Sequence, residues 1–374
     1  MKKKMLLFAA CLLVLVACEK KGDESVSSDK ETALKEAVTP YVSNTVIATY
    51  SHMADEGLVL HEQCQQILAA QEAEQDYSAL MKQAQTSWRA MRKYWEQSEA
   101  FLYGPASAHN IDPHIDSWPL DFNAMNALLH DPDRMATIEQ EGGAYVGDKL
   151  GYALKGFHAA EYLLFTKTTL THAEAVYLLG IVEDLVQQAI LLEYCWADEV
   201  STDKMQMLTD GDVEPYEDKY GWQMMNAGQA GSVYKTFQEA AEEIIAGCVD
   251  IAGEVAELKM GNPYLSSTDE QREYIESPYS CTSTIDFADN IRSIEHAYRG
   301  AQAGDHSISN YVYRQNPTLD TNVRTAISDA TTAIEAIQDF ETSAQNNPQV
   351  KNAMDKVAAL EELLSKEVLP LLSK

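Results

Sequence analysis

A histidine and a glutamate stand three residues apart within residues 154–165, which read LKGFHAAEYLLF. If this stretch is helical, His158 and Glu161 share one face with Leu154, Phe157 and Leu164. The apolar residues predict that this face is buried, and a lone carboxylate is costly to remove from water. The pair therefore predicts a partner opposite it, either a metal ion or a network of hydrogen-bond donors without a metal.

A second acidic pair occurs in a helix predicted over residues 76–103. Glu96 and Glu99 lie on adjacent turns of one side, and Arg92 lies one turn before Glu96. Two carboxylates so placed repel each other unless a cation bridges them or Arg92 neutralises them. The alternative is a surface ion pair between Glu96 and Arg92, with Glu99 half exposed.

The segment after this helix supplies a further carboxylate. Its run IDPHIDSWP contains Asp112 and Asp116. Aspartates beside proline or serine commonly cap turns and helices, and we expect this role for Asp112. The apolar neighbours Ile115 and Trp118 suggest that the segment folds against the body of the protein, so Asp116 is a candidate for a site.

These segments together resemble the imelysin family, whose members are also called imelysin-like proteins or insulin-cleaving membrane proteases. The resemblance spans most of the chain in the right order and includes the G-x-H-x-x-E motif of the family at residues 156–161. The matching stretches are Trp88-Arg89-x-x-Arg92-x-Tyr94-x-x-x-Ser98-Glu99-Ala100-Phe101, Ile115-Asp116-x-Trp118-Pro119-Leu120, Gly156-Phe157-His158-Ala159-Ala160-Glu161-Tyr162-Leu163-Leu164-Phe165, Pro263-Tyr264, Arg272-x-Tyr274, and Ser280-x-x-Ser283-x-x-Asp286-x-x-x-Asn290 with Tyr298 and Gly300.

The resemblance implies an all-helical, two-part fold in a cell-envelope lipoprotein, since relatives of the family include periplasmic components of bacterial iron-uptake systems. Carried over motif by motif, the implied metal-binding residues are Glu96, Glu99, Asp116, His158 and Glu161. Carboxylates and imidazole without a thiolate suit hard to borderline cations. We therefore expect a metal ion, iron first, with calcium, manganese or zinc as further candidates.

Three residues near these candidates are expected to support the site, namely Arg92, Tyr94 and Trp118. The alternative without a metal gives Glu161 hydrogen bonds from Arg92 and from tyrosine hydroxyls. The family pattern also suggests that the run SPYSCTSTID at residues 277–286 closes over the site. N-capping of the following helix is the alternative role for that run.

Two functions are open to such a site. The preferred one is a binding protein that captures iron, or an iron-bearing ligand, as part of iron uptake. The alternative is a metal-dependent peptidase of the imelysin type, but the H-E-x-x-H pattern of helical zinc peptidases does not occur in the sequence. A metal surrounded by carboxylates is also a weak activator of water, because the ligands neutralise its charge.

The N-terminus predicts export and lipid anchoring. Three lysines precede a short apolar run, as in a signal peptide, and the run LVAC ending at Cys18 resembles the lipobox of bacterial lipoproteins. We expect residues 1–17 to be a signal peptide, Cys18 to be lipidated, and residues 18–30 to form a flexible linker. The protein would then be anchored to a membrane in the cell envelope, at the periplasmic face or the cell surface, where an iron-uptake permease or receptor is a possible partner.

Composition and periodicity predict the fold class. The net charge of −30, which becomes −33 without the three lysines of residues 1–17, disfavours nucleic acid as a partner. Apolar residues recur with the helical period along most of the chain, so we expect an all-α protein of two packed helical bundles, residues 31–170 with the site and residues 171–374. Long helices are predicted over residues 31–69, 76–103, 145–166, 172–199, 233–259, 284–300, 319–345 and 349–372.

Two long stretches lack this period and are predicted to be irregular, residues 104–120 and 208–231. Long ordered loops in helical proteins often line sites. The cysteines that remain after processing are far apart and include no C-x-x-C pair, so a zinc–thiolate site is not expected. Disulfides and buried free thiols are equally compatible with their spacing; the residues are Cys64, Cys195, Cys248 and Cys281.

Overall fold

The computed structural model describes residues 21–267, 271–304 and 306–374. Every regular element within these ranges is helical, which confirms the all-α prediction. The expected signal peptide at residues 1–17 and the expected lipidation site Cys18 lie outside the described residues.

The first part of the chain consists of helices joined by short turns. It contains α1 (Lys21–Pro40), α2 (Ala48–Glu72), α3 (Ser78–Glu96), α4 (Pro105–Ala108), α5 (Ile111–Ile115), α6 (Phe122–Leu129), α7 (Pro132–Glu141), α8 (Gly143–Lys149), α9 (Gly156–Thr166) and α10 (His172–Ala197). A π-helical turn at Tyr41–Ile47 joins α1 to α2, and 3₁₀ turns occur at Glu99–Phe101 and Tyr152–Leu154.

The second part is built in the same way. It contains α11 (Thr202–Asp210), α12 (Tyr220–Met225), α13 (Phe237–Glu254), α14 (Gly261–Leu265), α15 (Gln271–Tyr274), α16 (Ser283–Arg299), α17 (Ile308–Gln315), α18 (Pro317–Glu335), α19 (Phe340–Ser343), α20 (Pro348–Leu363) and α21 (Leu369–Leu372). π-helical turns follow α13 at Val255–Lys259 and α20 at Leu364–Val368.

The longest helix, α10, lies in the core of the first group of helices. It packs against α2, α8 and α9, and α2 packs in turn against α3. By length and composition α10 could cross a membrane, but 83% of its most apolar window is buried inside the fold. Its apolar character is thus explained by burial on all sides. Helix α10 lies after residue 170 in the chain but packs on the first group of helices. The division into bundles of residues 31–170 and 171–374 stays a prediction.

A second group of helices is formed by α13, α16, α18 and α20, which pack on one another. The two groups meet where α3 packs against α16, and where the 3₁₀ turn Glu99–Phe101 packs against α13 and α16. The polar side chains predicted from the sequence lie at this meeting place.

Two predicted helices are interrupted, and one stretch predicted to be irregular is partly helical. The helix predicted over 76–103 ends at Glu96, and Glu99 lies in a 3₁₀ turn. The helix predicted over 145–166 is broken after α8 and begins again at Gly156, whose φ of +74° is incompatible with a continuing helix. Much of the predicted irregular stretch 104–120 forms the short helices α4 and α5, which the periodicity did not indicate.

Helix α1 begins at Lys21, inside the segment expected to be a flexible linker. The ammonium of Lys30 donates hydrogen bonds to Gln238 Oε1 and to the carbonyl of Leu372. The next residue, Glu31, accepts hydrogen bonds from the first backbone amides of α13. The contacts of Lys30 and Glu31 with the second group of helices fix one helical turn. Since nucleation is the unfavourable step of helix formation, further turns toward the N-terminus form from it with little additional free energy.

Candidate metal centre

The glycine of the G-x-H-x-x-E motif allows two segments to meet. A Cβ atom on Gly156 would lie 2.2 Å from the carbonyl oxygen of Ile115. Only glycine permits this approach, which brings the residue after Ile115, Asp116, onto the first turn of α9. The motif glycine therefore positions Asp116 beside His158.

The imidazole of His158 lies between two carboxylates. Its Nε2 is 3.0 Å from Asp116 Oδ1, and its Nδ1 is 3.3 Å from Glu161 Oε2. Burial of this side chain opposes the charged form, but the hydrogen bonds to Asp116 and Glu161 prevail and raise the pKa of His158 to about 9. In this arrangement His158 is a cation at neutral pH.

The carboxylate of Glu161 accepts hydrogen bonds from two backbone amides and a serine hydroxyl. Its Oε1 accepts hydrogen bonds from the amides of Tyr279 and Ser280 at 3.0 and 2.7 Å, and from Ser280 Oγ at 2.7 Å. With His158 on Oε2, the carboxylate contacts a donor at each oxygen. Glu161 thus holds the segment before α16 against α9 and orients the His158 ring.

Asp116 is the centre of the cluster. Besides His158, its carboxylate contacts the Arg92 guanidinium and accepts a hydrogen bond from Trp95 Nε1 at 2.6 Å. Burial alone would favour the neutral acid, but Arg92 and His158 hold the pKa of Asp116 well below its usual range. Asp116 is therefore ionised although it is only 5% exposed.

The guanidinium of Arg92 joins the two halves of the chain. It is 1% exposed, and its Nη2 lies 2.6 Å from Glu96 Oε1 and 2.7 Å from Glu276 Oε1. Its Nε is 3.7 Å from Asp286 Oδ2 on α16. The alternative of a surface pair between Arg92 and Glu96 is therefore wrong, because both side chains are buried.

A second buried cation, Lys259, was not anticipated. It ends the π-helical turn after α13, and its ammonium lies 3.1 Å from Glu276, 3.5 Å from Glu99 and 3.8 Å from Glu96. The ring centroid of Trp118 is 5.7 Å from the same nitrogen. The ammonium thus occupies space between carboxylates that a metal ion would also favour.

Among the residues that the structure describes, acidic groups outnumber basic groups in this cluster. The cationic side chains are Arg92, Lys259 and His158, whereas the buried carboxyl groups around them are Glu96, Glu99, Asp116, Glu161, Glu276 and Asp286. Burial raises the pKa of Glu96 and of Glu99 well above the usual range, despite the nearby cations. Burial likewise raises the pKa of Asp286 to about 7. Protons or a further cation must balance the excess of carboxyl groups.

The donor geometry fits a metal cation. Donor atoms of Asp116, His158 and Glu276 lie within 4.8 Å of one another, and so do those of Glu96, Glu99 and Asp116. Among the residues that the structure describes, the buried Glu276 Oε2 has no hydrogen-bond partner. A buried carboxylate oxygen without a donor is the feature that a bound cation would satisfy.

Two pockets adjoin the cluster. A cleft of about 650 Å³ is lined by His158 and Glu276 at one side and by apolar surfaces of Trp118, Phe122 and Ile275. A smaller pocket of about 370 Å³ is lined by Glu99 and several other acidic residues, namely Asp112, Glu243, Asp250 and Glu254. Burial and the charge of Asp116 raise the pKa of Asp112 to about 6. A cation can therefore approach from an apolar cleft or from an acidic pocket.

The structure brings together four of the five candidates from the sequence, because each has a ligand atom within 4.8 Å of those of other acidic residues; they are Glu96, Glu99, Asp116 and His158. The fifth, Glu161, contacts this group through His158. Whether any of them binds a metal stays a prediction. Trp118 lies beside the cluster, with its ring centroid 6.0 Å from that of His158.

Tyr94 was expected to support the site but lies elsewhere. It follows Arg92 by two residues, which turns it to the other side of α3, where its ring stacks on His52.

Glu276 and Lys259 are the residues that sequence reasoning missed. Glu276 directly precedes the run SPYSCTSTID, which the family pattern suggests closes over the site, and this position was its only sequence signal. Lys259 has no signal at all, because a lysine at the end of an amphipathic helix is usually exposed.

The sequence and the fold were compared with those of known proteins. The family model described as Imelysin, with the label Peptidase M75, matches residues 46–366. A curated relative, iron-regulated protein A of Synechococcus elongatus, is 28% identical over 343 residues, which are 90% of this chain and 86% of the relative.

Two solved structures have a similar fold. One is described as an iron-regulated protein A precursor from Parabacteroides distasonis, with a TM-score of 0.75 and 24% identity over 92% of this chain and 96% of that chain. The other is an imelysin-like protein from Psychrobacter arcticum, with a TM-score of 0.66 and 14% identity over the same shares of both chains. At these identities the two structures support the fold alone.

Proposed function

Because this chain belongs to the imelysin family and is a homologue of iron-regulated protein A, we propose that it captures a metal cation, iron first, at the cluster around Asp116. In this proposal the bound metal is cargo for iron uptake. The observation that carries the proposal is the excess of buried carboxyl groups over basic groups in the part of this cluster that the structure describes.

Charge balance gives the reason for capture. A buried carboxyl group without a counterion must take a proton or a cation. Burial raises the pKa of Glu96 and Glu99, so protons compete with cations for these carboxyl groups. A cation of charge two or more replaces those protons, so binding is favoured by neutral pH and opposed by acid.

The residues divide the work between them. Asp116, His158 and Glu276 supply donors beside the apolar cleft, while Glu96 and Glu99 supply donors toward the acidic pocket. Because a metal ligand must be a neutral imidazole, binding through His158 also releases its proton. Glu161, whose oxygens contact other donors, keeps the His158 ring in place.

Oxygen-rich ligation favours iron or manganese over soft metals. The name of the cyanobacterial relative records regulation by iron, and this supports iron as the cation without stating that the relative binds it. Calcium is also compatible with carboxylate ligands, and zinc with the imidazole.

Equilibrium dialysis of metal-stripped protein against Fe²⁺ under anaerobic conditions tests the proposal. We expect saturable binding that is lost in Glu276→Gln, because this change neutralises the carboxylate with the unpartnered oxygen. The matched control is Asp320→Asn, a buried carboxylate that is 1% exposed and hydrogen-bonded to Tyr298 in another part of the fold. Equal binding by wild type, Glu276→Gln and Asp320→Asn would contradict this assignment.

The family label makes peptide hydrolysis the second candidate. The cluster opposes it, because the many carboxylates leave a bound metal little charge with which to activate water. Incubation of the protein with an unfolded protein substrate, with and without a chelator, separates the two functions. Chelator-sensitive cleavage would favour the peptidase.

We also propose that the protein acts in the cell envelope, anchored by lipid at Cys18. The lipobox-like run at the N-terminus supports this location. A permease or receptor of an iron-uptake system is the partner that such a location suggests. Metabolic labelling with a fatty acid should mark the wild type and leave Cys18→Ser unmarked.

A further inference from the structure

The two stretches that the sequence analysis singled out as irregular meet away from the carboxylate cluster. His109 follows α4 in the first stretch, and Asp218 precedes α12 in the second. Cys195, near the end of α10, lies beside both of them. Three side chains of different metal-binding chemistry thus come together from three separate segments.

The geometry fixes two of these side chains. His109 Nε2 lies 2.6 Å from Asp218 Oδ2. The His109 ring stacks flat on Tyr216, with the centroids 3.6 Å apart and 4° between the planes, which sets the orientation of the imidazole. Donor atoms of His109, Cys195 and Asp218 all lie within 4.8 Å of one another.

The environment of Cys195 argues against a nucleophilic thiolate. Its side chain is buried, and burial together with the charge of Asp218 raises the pKa of the thiol. A Cys–His–Asp group of this kind is therefore not activated for covalent catalysis. A metal ion reverses this situation, because a coordinated thiol is deprotonated outright.

We propose that His109, Cys195 and Asp218 form a second metal site, distinct from the carboxylate cluster, that takes a borderline divalent cation such as Zn²⁺. Zinc binds sulfur, nitrogen and oxygen donors with four ligands in a tetrahedron, which places donor atoms about 3.3–3.8 Å apart. To reach that spacing, His109 Nε2 and Asp218 Oδ2 move apart from 2.6 Å by about 1 Å, and Cys195 Sγ, which lies within 4.8 Å of ligand atoms of both, moves closer by up to about 1 Å. As the metal–sulfur bond forms, the S–H bond of Cys195 breaks and its proton passes to solvent.

The site has room for an outside ligand. The side chains of His109 and Asp218 are 21% and 30% exposed, so the group is reached from solvent while Cys195 forms its buried floor. Three protein ligands with one accessible position are typical of zinc sites that hold a water molecule. The proposed cation differs from the cargo of the carboxylate cluster, because thiolate ligation selects softer metals.

Cobalt spectroscopy tests this site independently of the carboxylate cluster. Metal-stripped, reduced protein is titrated with Co²⁺, whose bond to a thiolate gives a strong near-ultraviolet charge-transfer band that oxygen and nitrogen ligands do not give. We expect the band in wild type and in Glu276→Gln, and its loss in Cys195→Ser. Cys248→Ser, at a buried cysteine, and Cys281→Ser, at an exposed one, are the matched controls and should keep the band.

His109→Ala provides a second variant at a partly exposed position, where folding is least affected. It should weaken zinc binding, measured by competition with a chromophoric chelator, by about tenfold or more. Absence of the band in wild type at saturating Co²⁺, or its survival in Cys195→Ser, would overturn the proposal. So would unchanged zinc affinity in His109→Ala.

Discussion

Replacement of Lys259 by methionine removes a buried ammonium group, and we expect a metal ion from solution to take its place beside the carboxylates. The Lys259 ammonium lies within 3.8 Å of carboxylates from Glu276, Glu99 and Glu96, where it competes with a metal for the same charges. Methionine keeps a similar unbranched shape and removes the charge. We expect Lys259→Met to be less stable without metal and to bind metal more tightly than wild type.

The distances allow the magnitudes to be worked out. Removing one partner of a buried ion pair destabilises a protein by about 3–5 kcal/mol, because an uncompensated charge stays behind. For 374 residues the entropy of unfolding makes this a fall of about 4–6 °C in Tm. Two unit charges 4 Å apart interact by about 4 kcal/mol at an effective dielectric constant of 20. Relief of only about 1.4 kcal/mol of the repulsion between Lys259 and a dication tightens binding tenfold, so we expect a gain of at least tenfold.

Thermal unfolding with and without Mn²⁺, a redox-stable cation that prefers oxygen ligands, measures both effects. The metal should raise the Tm of Lys259→Met by several degrees more than that of wild type. The matched control is Lys204→Met, which removes another buried lysine, 2.7 Å from Glu193 and outside the cluster. Lys204→Met should lose stability without gaining a larger metal response.

A metal response in Lys259→Met that is equal to or smaller than that of wild type would refute this reasoning. It would mean that the carboxylates around Lys259 do not form the binding site. The cluster would then be a salt-bridge network whose charges are balanced by protons and basic side chains alone.

Three further changes have defined outcomes. In the metal-free protein the pKa of His158, about 9, exceeds its unfolded value, so protonated His158 contributes up to about 3 kcal/mol to the free energy of unfolding. This contribution is complete below about pH 6.5 and is lost as the pH rises through 9. Urea unfolding of His158→Gln should therefore not show this loss of stability between about pH 6.5 and 9. Gly156→Ala should destabilise the protein by about 3 kcal/mol or more in the same assay and weaken metal binding, because its Cβ displaces the carbonyl of Ile115. Glu161→Gln should lower Tm, since backbone amides lose a charged acceptor, and should reduce metal affinity less than Glu276→Gln does; the reverse order of affinities would contradict the role given to Glu161.

The sequence predicted the all-α class because helical periodicity is a local property. Helix α10 was expected over residues 172–199 and is found at His172–Ala197, and α16 was expected over 284–300 and is found at Ser283–Arg299. Breaks that depend on backbone approach were not predictable in this way. The positive φ of Gly156 serves a contact with Ile115, some forty residues away in the chain, and periodicity contains no information about such contacts.

The candidate site shows the same limit. Glu96, Glu99, Asp116 and His158 were accessible from the sequence because they are polar residues among apolar ones or lie in family motifs. Lys259 was not, because its burial depends on how α13 meets the first group of helices. The balance between acidic and basic groups, on which the proposed function depends, therefore required the fold.

Proton release on metal binding tests the central claim most directly. Calorimetric titration of metal-stripped protein with Mn²⁺ at pH 7, in buffers with different ionisation enthalpies, gives the number of protons released per bound ion. If the buried carboxyl groups and His158 exchange protons for the cation, wild type should release about one proton or more at a saturable site. That signal should vanish in Glu276→Gln. Absence of saturable binding would contradict the account. So would binding that releases no protons and is retained in Glu276→Gln.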